Sequence, residues 1–137
     1  MDKIEFQAFL DRISDCWTDG DFDMWSEHVS LPMVSITRSG QLVNDSLESL
    51  RRDWDLYTQT LTTMGVTKII RNVDVIEPAD DSTLIGTYHT QMYAGGIRVV
   101  GPYTSSAMLT CESGTWRISS IMNALGHRDW AARQDPN

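Results

Sequence analysis

Apolar positions recur with a helical period in the first half of the chain and with a strand period in the second. Phe6, Leu10, Ile13 and Trp17 fall at steps of three and four, one stripe of a helix predicted over residues 3–18. Asp2 and Glu5 stand at capping-box spacing before it, and Gly20 ends it. Asp21 is then placed to cap a short second helix with Phe22, Trp25 and Val29 inward and Pro32 as its stop. A small hairpin is predicted next, 33–37 and 41–43 about an Arg-Ser-Gly turn. Asn44 and Asp45 are expected to open a third helix, with Asp45 and Glu48 repeating the capping-box spacing. Its stripe is Leu47, Leu50, Trp54, Tyr57, Leu61 and Met64, and Gly65 closes it.

Four longer strands are predicted over 66–77, 83–93, 98–111 and 115–124, separated by turn-rich segments. Such short connections make consecutive strands antiparallel neighbours. Gly101 and Pro102 interrupt the third of them, where a bulge or bend is expected because proline cannot donate to the ladder. Helices first and strands afterwards predict an α+β fold, not alternating βαβ units.

Length and composition narrow the picture. The 137 residues suit one domain, expected over 1–126, followed by a polar tail over 127–137. Apolar residues make up 41% and charged residues 22%, ordinary globular usage. Eleven Lys and Arg against nineteen Asp and Glu give a net charge of -8, which disfavours nucleic acid and anionic membranes as partners. No apolar run approaches the ~20 residues that span a bilayer, and the first residues lack the pattern of a signal peptide. Cys16 and Cys111 lie far apart without CxxC spacing, which predicts neither a disulfide framework nor a cysteine zinc site and fits a cytoplasmic location.

The order of elements and three sequence stretches resemble the nuclear-transport-factor-2-like superfamily, which includes the SnoaL-like cyclases and ketosteroid isomerase. CWTDGDFDMW resembles its first turn, VVGPYTS its third long strand in ketosteroid isomerase, and GTWRI its last strand. The resemblance runs from about Phe6 to Leu125. It implies a cystatin-like cone, three helices packed in a curved mixed or antiparallel sheet with an apolar pocket at the open end. It further implies a homodimer through the outer face of the sheet. Such a fold does not fix a function.

The isomerase chemistry needs a carboxylate base and two oxyanion donors, a Tyr and a protonated Asp. Matching the resembling stretches puts the Tyr position at Ile13, the base near Thr37 and the protonated Asp near Thr104, none of which can serve. The SnoaL-like relatives use a His–Asp pair instead. Of His28, His89 and His127, only His89 lies within a long strand, with Asp74 as the nearest orienting carboxylate. If Trp116 and Ile118 mark the inward face of the last strand, His89, Gln91, Thr87, Thr104, Ser106 and Met108 face the pocket. Tyr88, Thr90, Met92, Tyr103 and Leu109 then lie outside, with Tyr88 and Tyr103 as cross-strand partners. A bulge at Gly101–Pro102 reverses both sets.

His28 is expected to cap helix carbonyls, and His127 to lie beyond the last strand. The acids Asp15, Asp19, Asp21 and Asp23 read as caps and a solvated face, and neither a metal nor a cofactor is expected. Candidate ligand-binding residues are Trp25, Tyr57, Thr87, Tyr103, Thr104 and Asn123, with His89 as the candidate catalytic base. The leading expectation is a pocket for a small hydrophobic or aromatic ligand, with cofactor-free proton-transfer or hydration chemistry if it turns over. The alternative is a non-catalytic dimeric interaction module.

Overall fold

A computed structural model of the chain describes residues 1–123. Three helices, α1 (Lys3–Asp19), α2 (Phe22–Glu27) and α3 (Leu47–Thr63), lie on one side of a six-stranded sheet. The strands are β1 (Val29–Thr37), β2 (Gly40–Asn44), β3 (Lys68–Asp80), β4 (Thr83–Ala94), β5 (Ile97–Glu112) and β6 (Thr115–Asn123). They stand in the order β2-β1-β6-β5-β4-β3. The pair β1–β6 is parallel and all others are antiparallel, so the sheet is mixed. The boundary expected near residue 126, the tail after it and His127 lie outside the described residues. None of the described helices is long and apolar enough to cross a membrane.

Local chemistry explains the helix ends. Asp2 accepts from the Glu5 amide at 2.8 Å while Glu5 accepts from the Asp2 amide, a closed capping box. Asp21 caps α2 by accepting from the Met24 amide. The third helix starts one residue later than expected. Ser46, not Asp45, is its N-cap, and it exchanges hydrogen bonds with Ser49, not Glu48. Asn44 belongs instead to β2 and is buried. Nor does Pro32 stop α2, which ends at Glu27 with His28 as its cap. His28 Nδ1 lies 2.6 Å from the Met24 carbonyl, as expected of a capping histidine. Pro32 lies inside β1, where pairing with β6 breaks between Val29 and Val34.

The core forms where the α1 stripe meets the sheet. Phe6, Phe9, Leu10 and Ile13 pack with Leu84, Tyr88, Leu109 and Ile118, all buried. The amide of Gln7 fastens α1 to the edge strand β3. It donates to the Arg71 carbonyl at 2.6 Å and accepts from the Val73 amide at 3.0 Å.

Strand register decides which side chains reach the concave side, and here the expectation is corrected. The turn after β5 holds only two residues, Ser113 and Gly114, both with positive φ (53° and 80°). Right-twisted hairpins favour such turns. Glu112 therefore still pairs with Thr115, and Leu109 faces Ile118 in the core. A three-residue turn would have put Met108 there instead. Side-chain direction alternates at every residue, so this one-residue difference reverses the whole of β5. Tyr103, Ser105, Ala107 and Leu109 turn inward, and Thr104, Ser106 and Met108 turn outward.

The expected bulge at Gly101–Pro102 is present: two residues of β5 oppose Gln91 alone. A second extra residue, Val99, follows before Arg98 meets Tyr93. Two single insertions leave the faces of β4 and β5 matched. Tyr88 thus pairs with Ser105 and Thr90 with Tyr103, not Tyr88 with Tyr103. A further bulge at Ser119 turns Ile121 and Asn123 to the concave side.

Two glycines test this reading. Both Gly101 and Gly114 have positive φ, but an added Cβ meets nothing at Gly114 and strikes the Thr90 carbonyl at Gly101. Gly114→Ala should lower stability by about 1–2 kcal/mol from the left-handed conformation alone. Gly101→Ala should lose ~1–3 kcal/mol more through the clash. Urea unfolding of the two variants checks the order; equal losses would mean that β5 is not pinned at Gly101.

Candidate functional site

The concave side holds a cavity of about 140 Å³ between the helices and the sheet. Its helix-side wall is aromatic. Trp17 stacks on Trp54 with ring centroids 4.1 Å apart, and Trp25 lies 5.3 Å from Trp17. Tyr57 meets Trp17 edge-on at 6.2 Å. These rings converge because Trp17 and Leu10 lie on one face of α1 and Leu50, Trp54, Tyr57 and Leu61 on one face of α3. Met33, Ile69, Met92, Ile118 and Ile121 complete the apolar lining from the sheet.

Polar groups enter this lining at separate points. At the β2 edge, Asn44 Nδ2 donates to Asp53 Oδ2 at 2.7 Å. Asp53 and Tyr57 are one helical turn apart on α3 and share its inner face. Burial, then the Asp53 carboxylate, then Tyr103 push the Tyr57 phenol above its ordinary range. At the opposite edge, Arg71 projects from β3 and Nη1 donates to Ser14 Oγ at 2.8 Å. Tyr88 is wholly buried, and burial raises its phenol despite the opposing charge of Arg71. Two buried oxygens in the cavity, Thr90 Oγ1 and Asn123 Oδ1, have no hydrogen-bond partner among the described residues. Thr90 is only 1% exposed.

The sequence-derived candidates divide sharply. Trp25, Tyr57, Tyr103 and Asn123 line the cavity. Thr87, Thr104 and His89 do not: they sit on the outer face of the sheet, where Thr87 Oγ1 meets Ser106 Oγ at 3.2 Å. The inward direction considered for them is corrected by the two-residue turn after β5. So is the outward placement of Tyr88, Thr90, Met92, Tyr103 and Leu109, which all point inward. Asp74 does orient His89. It is the unpaired residue of a bulge in β3, and its Oδ1 lies 2.9 Å from His89 Nδ1. The pair is partly exposed on the outer face, away from the cavity. Of the positions matched to the isomerase, Ile13 and Thr37 do line the cavity.

Asn44, Asp53, Arg71, Thr90 and Ser105 were not among the expected site residues. Arg71 had a readable signal, since it alternates in phase with the apolar Ile69 and Val73. Asp53 had one too, four residues before Tyr57.

No protein-family model matches the chain, and no curated protein matches it in sequence. Solved structures do resemble it. Aln2 from a Streptomyces species aligns over 95% of this chain and 93% of its own, at 20% identity and a TM-score of 0.70. A domain of unknown function with a cystatin-like fold from Nostoc punctiforme aligns over 98% of this chain and 84% of its own, at 16% identity and a TM-score of 0.68. An NTF-2 like protein of unknown function from Shewanella oneidensis aligns over 91% of this chain and 100% of its own, at 10% identity and a TM-score of 0.68. Identities this low speak for fold alone, and the helical layer, the mixed sheet and these likenesses agree on it: the chain has the nuclear-transport-factor-2-like, cystatin-like α+β cone fold.

Proposed function

We propose that the chain binds a small aromatic molecule carrying an oxygen function in the cavity of the cone. The observation that carries this reading is a pair of buried oxygens, Thr90 Oγ1 and Asn123 Oδ1, without a hydrogen-bond partner among the described residues, within a tryptophan-walled cavity. A buried hydroxyl or amide without a partner is costly, and a ligand polar group would remove that cost. A volume near 140 Å³ is close to that of engineered cavities of about 150 Å³ that take up benzene, room on the scale of one aromatic ring.

Binding is favoured over turnover. His89, the expected base, stands on the outer face with Asp74. Inside, Tyr57 and Tyr88 hold their protons above the ordinary phenol range, so near neutral pH they donate hydrogen bonds and do not act as bases. Among the described residues Asp53 is the one carboxylate of the cavity, and it is held by Asn44.

A second reading concerns the outer face. Ile36 and Met122 are adjacent across β1–β6 and both exposed, and Ile85 and Met108 are adjacent across β4–β5 and likewise exposed. With exposed Val75 they form apolar patches spread over the sheet. A homodimer through this face accounts for them. Met108→Glu is then expected to convert a dimer to a monomer in native mass spectrometry; a wild-type monomer at tens of micromolar removes this reading.

Titrating the protein with 4-hydroxyacetophenone should quench tryptophan fluorescence as the ring enters beside Trp17 and Trp54. Thr90→Val replaces the unpartnered hydroxyl by a methyl of similar shape. It should raise stability by about 1–3 kcal/mol and weaken ketone binding several-fold. A Thr90→Val protein less stable than wild type would show that the hydroxyl is already satisfied, and the reading would lose its support.

The raised phenols also set an alkaline limit. A folded-state pKa above the unfolded value of ~10 gives stability that is complete below pH ~10 and is lost as pH rises beyond it. The melting temperature should therefore fall above pH 10, and Tyr57→Phe should reduce that fall. An unchanged pH profile in the variant would contradict the buried, protonated phenol.

A further inference from the structure

Arg71 brings a positive charge into the cavity that no described residue neutralises there. Among the described residues it is the cavity's one basic group. Its guanidinium donates to the hydroxyl of Ser14, which is buried and itself donates to the Leu10 carbonyl at 3.0 Å. Among the described residues no carboxylate lies within ion-pair distance of it. Asp53, the cavity's acid, is bound to Asn44 at the opposite edge of the sheet. A guanidinium has five N–H donors, and among the described residues one is committed to a side chain.

The neighbours of Arg71 sharpen the picture. Thr90 is its direct partner across the β3–β4 ladder, and both face the concave side. Directly opposed residues have Cβ atoms about 5 Å apart, within reach of one small group. The buried Thr90 hydroxyl has no hydrogen-bond partner among the described residues. Tyr88 lies two residues along on the same face, near enough for the charge of Arg71 to act on its phenol. Among the described residues, this end of the cavity thus offers a cation and hydroxyl donors and no anion.

The complement of such an arrangement is a planar anionic acceptor able to take two parallel N–H bonds. Resting on the reading that the cavity holds a small aromatic molecule, we infer that this molecule is an aromatic carboxylate. Its carboxylate lies between Arg71 and Thr90, and its ring lies toward Trp17 and Trp54. A free inorganic anion fits poorly, because the rest of the lining is apolar and aromatic. The protein's net charge of -8 repels anions in general, so a preference for the anionic form would have to arise locally.

The test compares two probes of one shape, 4-hydroxybenzoate and its neutral amide 4-hydroxybenzamide, by calorimetry and tryptophan quenching. Wild type should bind the acid about tenfold or more tightly than the amide, as a hydrogen bond to a charged group allows. Arg71→Met should bring the two affinities together by weakening the acid several-fold more than the amide. If Arg71→Met does not fold by circular dichroism, Thr90→Val serves in its place and should weaken the acid more than the amide. Amide and acid binding equally to wild type would overturn the carboxylate inference and leave the aromatic site standing. So would a preference for the acid that survives Arg71→Met. Failure of both probes, together with 4-hydroxyacetophenone, to bind folded wild type would overturn the site itself.

Discussion

The two-residue turn at Ser113–Gly114 governs more of this molecule than its size suggests. It fixes the pairing of Glu112 with Thr115, and through it the opposition of Leu109 and Ile118 in the core. From that pair the alternation runs along β5 and across to β4, so one register choice assigns inner and outer places to both strands. The inner set brings Tyr88, Thr90, Tyr103 and Ser105 beneath the helices. The outer set brings His89, Thr104 and Ser106 to the other side, where His89 pairs with Asp74. A turn one residue longer would exchange the two and build a cavity of different chemistry from the same letters.

The fold was legible because its signals are local. The capping box of α1, the glycines that follow α1 and α3 and the stripes of both helices announce them, and turn-rich segments divide the strands. The rest of the aromatic wall follows from the same stripes, since Trp17, Trp54 and Tyr57 share helix faces. The polar part of the site was harder to read. Trp25, Tyr57, Tyr103 and Asn123 were named from the sequence, while Arg71, Thr90, Asn44 and Asp53 were not. Strand alternation tells which residues share a face but not which face is inner. That depends on how many residues a turn uses and on bulges such as Ser119, which propensity does not count.

The cavity sets stability against recognition. Its walls are rings locked by stacking, which presents a rigid apolar surface with little entropy left to lose on binding. Into that surface the sheet projects a guanidinium and a hydroxyl unpartnered among the described residues, and α3 a carboxylate held at the far end. A chain selected for stability alone would be expected to fill these positions with apolar groups.

The attachment of Gln7 has a consequence for behaviour in concentrated solution. Strand β3 is an edge of the sheet and is thirteen residues long, and such an edge is open to growth by a strand from another molecule. The Gln7 side-chain amide bonds to the Arg71 carbonyl and the Val73 amide, the two groups flanking Asn72. It does there what a residue of an incoming parallel strand would do. An invading strand would have to detach α1 before it could pair across the middle of β3, so the helix that closes the core also keeps the sheet from polymerising along its longest free edge.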